Sequence, residues 1–191
     1  MSLKSSNSVL IRDARLSFPA LENVSEKTGK YGCALLIAKD NDAVDLIEAM
    51  CARVLKENDP KNAEAIAKRL RQVDKFPLHD GESKEKYAGY AGNYFVNANC
   101  TTKPRLFDGK REPVVDGEAI REKFYSGAVV NAIIEIFYYN NKYGRGLGVG
   151  LKGLQFVRDA DRFGGGAQAD ADEFPVVEGE AAAAADETPW D

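Results

Sequence analysis

The chain has 191 residues, of which 44% are apolar and 29% charged, enough for one well-cored domain with extensions at its ends. No apolar run approaches the ~20 residues that a membrane-spanning helix needs, and Cys33, Cys51 and Cys100 are too few and too widely spaced for a disulfide framework. A single histidine, His79, removes the usual parts of zinc ligation and of Ser-His catalysis.

The first residues, MSLKSSNSVLIRD, carry neither the apolar stretch nor the cleavage site of a signal peptide, so a cytoplasmic location is the expectation. The net charge of −4 hides an asymmetry. From Ala167 onward there are eight acids and no Lys or Arg. Taking those from the 30 acids leaves 22 against 26 bases, so residues 1–166 carry a net +4. A basic body with a separate acidic tail points to a polyanionic ligand.

Residues 1–7 read as a disordered N-terminus. SVLIRDARLSF, from Ser8 to Phe18, reads as a strand with a bulge at Asp13-Ala14, ended by Pro19. After a polar turn, Tyr31 to Ala38 is a compact apolar run that reads as a buried strand paired with the first in a hairpin. Asp40 or Asn41 then caps a helix with Ala43, Ile47, Met50 and Val54 on its apolar face. Pro60 opens a second helix, Lys61 to Val73, with Ile66, Leu70 and Val73 inward and a basic face that reads as solvated. The helical insertion therefore spans about 41–73. Phe76 to Gly92 is loop chemistry, and His79-Asp80 reads as surface polarity.

Asn93 to Arg111, NYFVNANCTTKPRLFDGKR, is the stretch richest in chemistry. Its first half alternates: Val96, Ala98 and Cys100 suit a core, while Phe95, Asn97, Asn99 and Thr101 point the other way. A loop follows in which Lys103, Arg105, Lys110 and Arg111 surround Phe107. Cations around an aromatic at the end of a polar-aromatic strand suit a phosphodiester chain with bases to stack. Read alone, the stretch is better explained as an ordinary strand with a solvated basic turn, and the rest of the chain reverses that preference.

Glu112 to Val115 reads as a short strand and Asp116 to Phe124 as a short helix. Ala128 to Tyr139 is the strongest β signal, turned by a tip that carries Lys142, Tyr143 and Arg145. The return, GLGVGLKGLQFV, has glycines at 146, 148, 150 and 153, which requires a sharp bend or a close backbone neighbour. From Phe163 the chain is Gly-rich and then acidic, and reads as a disordered tail over 163–191. The only tryptophan, Trp190, stands near its end among Asp186, Glu187, Pro189 and Asp191, an arrangement suited to capturing a partner protein.

The ordered series KYGCALLIAKDN, PLHDG, GNYFVNANCTTKP, FYSGAVVNAIIEIFYYNN and GLGVGLKGLQFVRD, followed by a Gly-rich acidic tail, resembles a family of bacteriophage single-stranded-DNA-binding proteins once catalogued as a domain of unknown function. The resemblance covers most of residues 8–166. It implies an OB-fold that coats single strands during phage replication, recombination or repair in the bacterial host, with no catalytic group and no cofactor or metal. The tail resembles those of bacterial and phage single-strand binders but departs from their common Pro-Phe ending by reading Pro-Trp-Asp.

The expected architecture is mainly β with a helical insertion (α+β), an OB-fold-like small bent barrel over 8–162 and a disordered acidic tail. Candidate base-stacking residues are Tyr31, Tyr94, Phe95, Phe107, Tyr125 and Tyr143. Candidate phosphate contacts are Lys30, Lys103, Arg105, Lys110, Arg111, Lys142, Arg145 and Lys152, with Asn97 and Asn99 as base or sugar contacts. Expected partners are single-stranded DNA, replication or recombination proteins bound through the tail, and further copies of the chain along DNA, with no membrane. Two other classes stay open: a metal-dependent nuclease using Asp13, Asp80, Asp108 and Asp116, and a virion or scaffold protein.

Overall fold

The computed structural model describes residues 6–164. Its elements run β1 (Ser8–Ala20), β2 (Tyr31–Ala38), α1 (Ala43–Asn58), α2 (Ala63–Gln72), β3 (His79–Asp80), β4 (Asn93–Cys100), β5 (Arg105–Phe107), α3 (Gly117–Lys123), β6 (Val129–Asn141) and β7 (Gly144–Arg158). The strands lie in the order β3-β4-β2-β1-β6-β7-β5, and a further parallel pairing of β4 with β7 closes the central five into a barrel. The mainly β, OB-like reading of the sequence is therefore correct.

The hairpins fall where the apolar runs placed them: β1 pairs β2, and β6 pairs β7 over its whole length. Inside the barrel lie Ile11, Leu16, Leu35, Ile37, Val96, Ala98, Ile134, Ile136 and Leu154. Helix α1 closes one side of this core with Ile47, Cys51 and Val54. Its start is fixed by Asn41, whose Oδ1 accepts from the Ala43 amide at 2.9 Å. Helix α2 buries Ile66 and Leu70, whereas Val73, expected inward, is exposed because the helix ends at Gln72.

The expected bulge at Asp13-Ala14 is present, with Asp13 at φ 54° and a register shift between Ile11 and Ala14. A second, unforeseen bulge lies between Ser17 and Ala20. Two of the β7 glycines, Gly146 and Gly148, lie under the rings of Tyr139 and Phe137, and Gly153 lies against the Arg105 carbonyl oxygen. A Cβ on Gly148 would lie 2.2 Å from the Phe137 ring, which folds across its cross-strand partner.

Other assignments differ from the sequence reading: Arg105–Phe107, expected in a loop, is a short strand paired in parallel with β7. Ser6 and Asn7 are held, the Asn7 carbonyl accepting from the Ile136 amide at 3.0 Å, so the ordered chain begins before Ser8. His79-Asp80 is a short strand on the edge of β4. Glu112–Val115 contributes a single bridge, Pro113 to Phe107, in place of a strand. Phe163, placed at the start of the tail, packs against Ala34, Leu36, Tyr90 and Phe95 and belongs to the folded body.

Candidate nucleic-acid interface

Two hollows on the outside of the barrel share Lys30 and Asn99 and so form one groove. The first, about 470 Å³, lies over β2 and β4, between the loop before β2 and the loop before β4. Asn97 and Asn99 project into it from β4, and Lys27, Lys30 and Lys84 stand around it. Phe18, Tyr87 and Tyr90 form its aromatic end. The second, about 520 Å³, follows the seam where Asn99 meets Gly150, and is lined by Thr101, Thr102, Lys103, Arg105, Phe137 and Lys152. The groove thus runs from an aromatic corner, past two amides, to a cationic end. An unpaired strand needs such a sequence of surfaces.

The alternation of β4 sets this arrangement. Val96 and Ala98 fill the barrel while Asn97 and Asn99 face out. The outer face is not open throughout. Tyr90 and Phe163 cover Ala34, Leu36 and Phe95, forming a second small core. Gly32 permits the close approach of β4, since a Cβ there would fall 2.5 Å from the Ala98 carbonyl oxygen.

Among the expected contacts, Lys30, Asn97, Asn99, Lys103, Arg105 and Lys152 line the groove. Lys152 shares its charge with Glu135, 3.6 Å away. Two expected stackers are corrected. Phe95 is 1% exposed: His79 stacks on it at 4.8 Å, Tyr90 meets it in an edge contact at 5.0 Å and the Lys84 ammonium lies over its ring, so no face is free for a base. Tyr125 is 8% exposed; its hydroxyl donates to Asp159 at 2.9 Å, and Arg162 lies over its ring. Both are structural because the chain folds back over the outer faces of the strands.

The remaining candidates lie outside this groove. Tyr94 carries Lys39 over its ring, and Lys39 is itself bridged to Asp80 and Glu82. Tyr31 is half-buried opposite Cys100. Phe107 and Arg111 flank a separate apolar hollow of about 220 Å³ with Leu10 and Ile133, and Lys110 is exposed on the adjoining turn. At the β6–β7 tip, Lys142 and Tyr143 project into solvent, while Arg145 is paired with Asp59 at 2.7 Å. Asp59 is held below the usual carboxylate range by Asn62 first and by Arg145 after it. The tail residues Asp186, Glu187, Pro189, Trp190 and Asp191 lie outside the described residues.

Phe18, Lys27, Lys84, Tyr87, Tyr90 and Phe137 line the groove beyond the contacts expected from the sequence. Lys84, Lys86, Tyr87 and Tyr90 show the same interleaving of cations and aromatics that singled out residues 103–111, and that signal was legible in the sequence. Phe18 gave no such signal, since strand parity assigns it to the face of Leu16.

The four acids of the nuclease reading are dispersed and engaged. Asp13 pairs with Arg158 at 2.9 Å, and Asp80 accepts from the Glu82 amide. Asp108 ties its own turn through the Lys110 and Glu112 amides, and Asp116 caps α3 through the Ala119 amide. Cys33 lies beneath the groove with its thiol pushed up to about 12, by burial first and by nearby Cys100 second, so it is a poor nucleophile.

The sequence profile of a family described as "Enterobacter phage Enc34, ssDNA-binding protein" matches residues 7–187. The chain belongs to this phage single-stranded-DNA-binding family. It is a family of binding proteins and not of enzymes. Protein p50 of Acyrthosiphon pisum secondary endosymbiont phage 1 is 35% identical over 175 residues, covering 87% of this chain and 91% of that one. The fold is similar to that of the bacteriophage Enc34 single-stranded-DNA-binding protein solved in complex with ssDNA, with TM-score 0.69 and 22% identity over 83% of this chain and 90% of that one. It is also similar to gp2.5, a single-stranded-DNA-binding protein of bacteriophage T7, with TM-score 0.54 and 14% identity over 91% of this chain and the whole of that one.

Proposed function

We propose that the chain binds single-stranded DNA along the groove from Phe18 to Arg105, without dependence on sequence, and protects it during phage replication, recombination or repair. One observation carries the reading: an aromatic corner, a pair of amides and a cationic end follow one another on the outer face of a closed barrel. Aromatics accept any base face, and cations accept any phosphate. Family membership supports the ligand class.

The acidic segment from Ala167 onward recruits partner proteins through Asp186, Glu187, Pro189, Trp190 and Asp191, and competes with DNA for the cationic end. The described chain leaves at Gly164, next to Phe163, whose ring lies against Gly89 and so beside the loop that carries Tyr87 and Tyr90. A tether rooted there keeps the acids at an effective concentration of order millimolar. Titrating thymidine oligomers of graded length at several salt concentrations tests the binding. A chain ending at Gly166 should bind more tightly than the full chain, most of all at low salt. Equal affinity at every salt concentration would remove the competition and leave DNA binding standing, whereas no mobility shift at moderate salt would favour an assembly role.

A further inference from the structure

The side chain of Phe18 stands where strand parity does not put it. Leu16, two residues earlier on the same nominal face, is fully buried, while Phe18 is 61% exposed. The second bulge of β1 is the cause: Phe18 adopts φ 46° where the pairing with β2 slips between Ser17 and Ala20. A bulge re-aims a side chain. A bulky aromatic in left-handed backbone is disfavoured and persists only where its surroundings impose it. The fold therefore accepts backbone strain and gives up core burial to hold this ring outside.

The ring is braced once it is there. Tyr87 meets it edge-on, with centroids 5.4 Å apart and planes at 88°, and Tyr90 lies 6.5 Å away. Tyr90 is fixed in turn by its hydroxyl on Ser17 at 3.4 Å and by Phe95, which rests on His79. The result is a series of rings leading from the sheet edge to one aromatic at the rim of the first hollow, across from Asn97 and Asn99 and among lysines. A planar heterocycle beside a phosphate fits these surroundings: ring stacking for the base, amides for its edge and ammonium groups for the backbone.

We infer that Phe18, braced by Tyr87, is a stacking platform for one unpaired nucleobase. The inference rests on the groove being the DNA path and divides its work. Base-dependent affinity belongs to the Phe18 end, and salt-dependent affinity to the Lys103–Arg105 end.

Phe18→Gly tests this without strain, because glycine takes a positive φ freely, and melting should stay close to that of the parent. With the shortest thymidine oligomer that saturates the full chain, Phe18→Gly should bind about tenfold more weakly at an unchanged salt slope, and Phe18→Tyr should bind as the parent does. An abasic site moved along that oligomer should weaken parent binding most at one position, and at that position Phe18→Gly should lose nothing further. Salt-dependent parent binding that Phe18→Gly leaves intact would overturn the platform and spare the groove. An equal Phe18→Gly defect at every abasic position would do the same. A parent that binds no thymidine oligomer would overturn both.

Discussion

Lys103 and Arg105 provide the sharpest test of the cationic end. Both are exposed, both line the second hollow, and neither is in an ion pair among the described residues. Removing them should therefore cost the fold little. Each phosphate neutralised on a single strand contributes about 0.7 to the slope of log affinity against log salt, so Lys103→Ala with Arg105→Ala should flatten that slope by about 1.4. Extrapolated to about 0.1 M salt, the same term is a loss of roughly 25-fold in affinity. The assay is fluorescence titration of a thymidine oligomer at four or more salt concentrations, with circular dichroism confirming the fold. Lys152, partnered by Glu135 at 3.6 Å, should change the slope less when replaced. A folded double variant with an unchanged slope would place the phosphates on another wall of the barrel.

Three further outcomes follow from the packing. Gly32→Ala would drive a methyl to 2.5 Å from the Ala98 carbonyl oxygen, a backbone atom of the neighbouring strand, and should destabilise the fold by roughly 2–3 kcal/mol in chemical denaturation; a neutral result would mean that β2 and β4 can part. Tyr125→Phe removes the hydroxyl bonds to Asp159 and Ala160, and should lower stability by about 1 kcal/mol while leaving DNA affinity unchanged. A selective loss of affinity would restore Tyr125 to the interface. Asp59, held by Asn62 and Arg145, and Asp80, held by the Glu82 amide and Lys39, both have carboxyls below the ordinary range. Their contribution is present above the unfolded carboxylate value of about 4 and is lost as pH falls through the folded values. The urea midpoint should therefore drop below that pH, and drop less in Asp59→Asn.

Alternation alone assigned Val96 and Ala98 to the core and Asn97 and Asn99 to the outer surface, and both assignments hold. The same alternation made Phe95 an outward residue, which is true of its direction and false of its exposure. What covers it is Tyr90, from the loop that turns into β4, and Phe163, from the far end of the described chain. Tyr125 fails for the same reason, being sealed by Asp159, Ala160 and Arg162. The β7 glycines announced a sharp bend or a close backbone neighbour, whereas what lies over Gly148 is a side chain. Phe137 lies across from Gly148 only once the β6–β7 register is set.

The sequence by itself determined the long strands β1, β2, β4, β6 and β7, the helical insertion, the contrast between a basic body and an acidic tail, and the family, because periodicity, capping residues and charge are local and additive along the chain; the short strands β3 and β5 it did not show. Tertiary structure alone decided which aromatics have a free face. Exposure depends on what other segments bring over a strand, and at Phe18 it depends on a slip in pairing between β1 and β2 that turns a core position outward. It also decided that Lys30 and Asn99 join two hollows into one groove, since closing the barrel at Asn99 and Gly150 is what brings the β2–β4 face and the Lys103–Arg105 loop together.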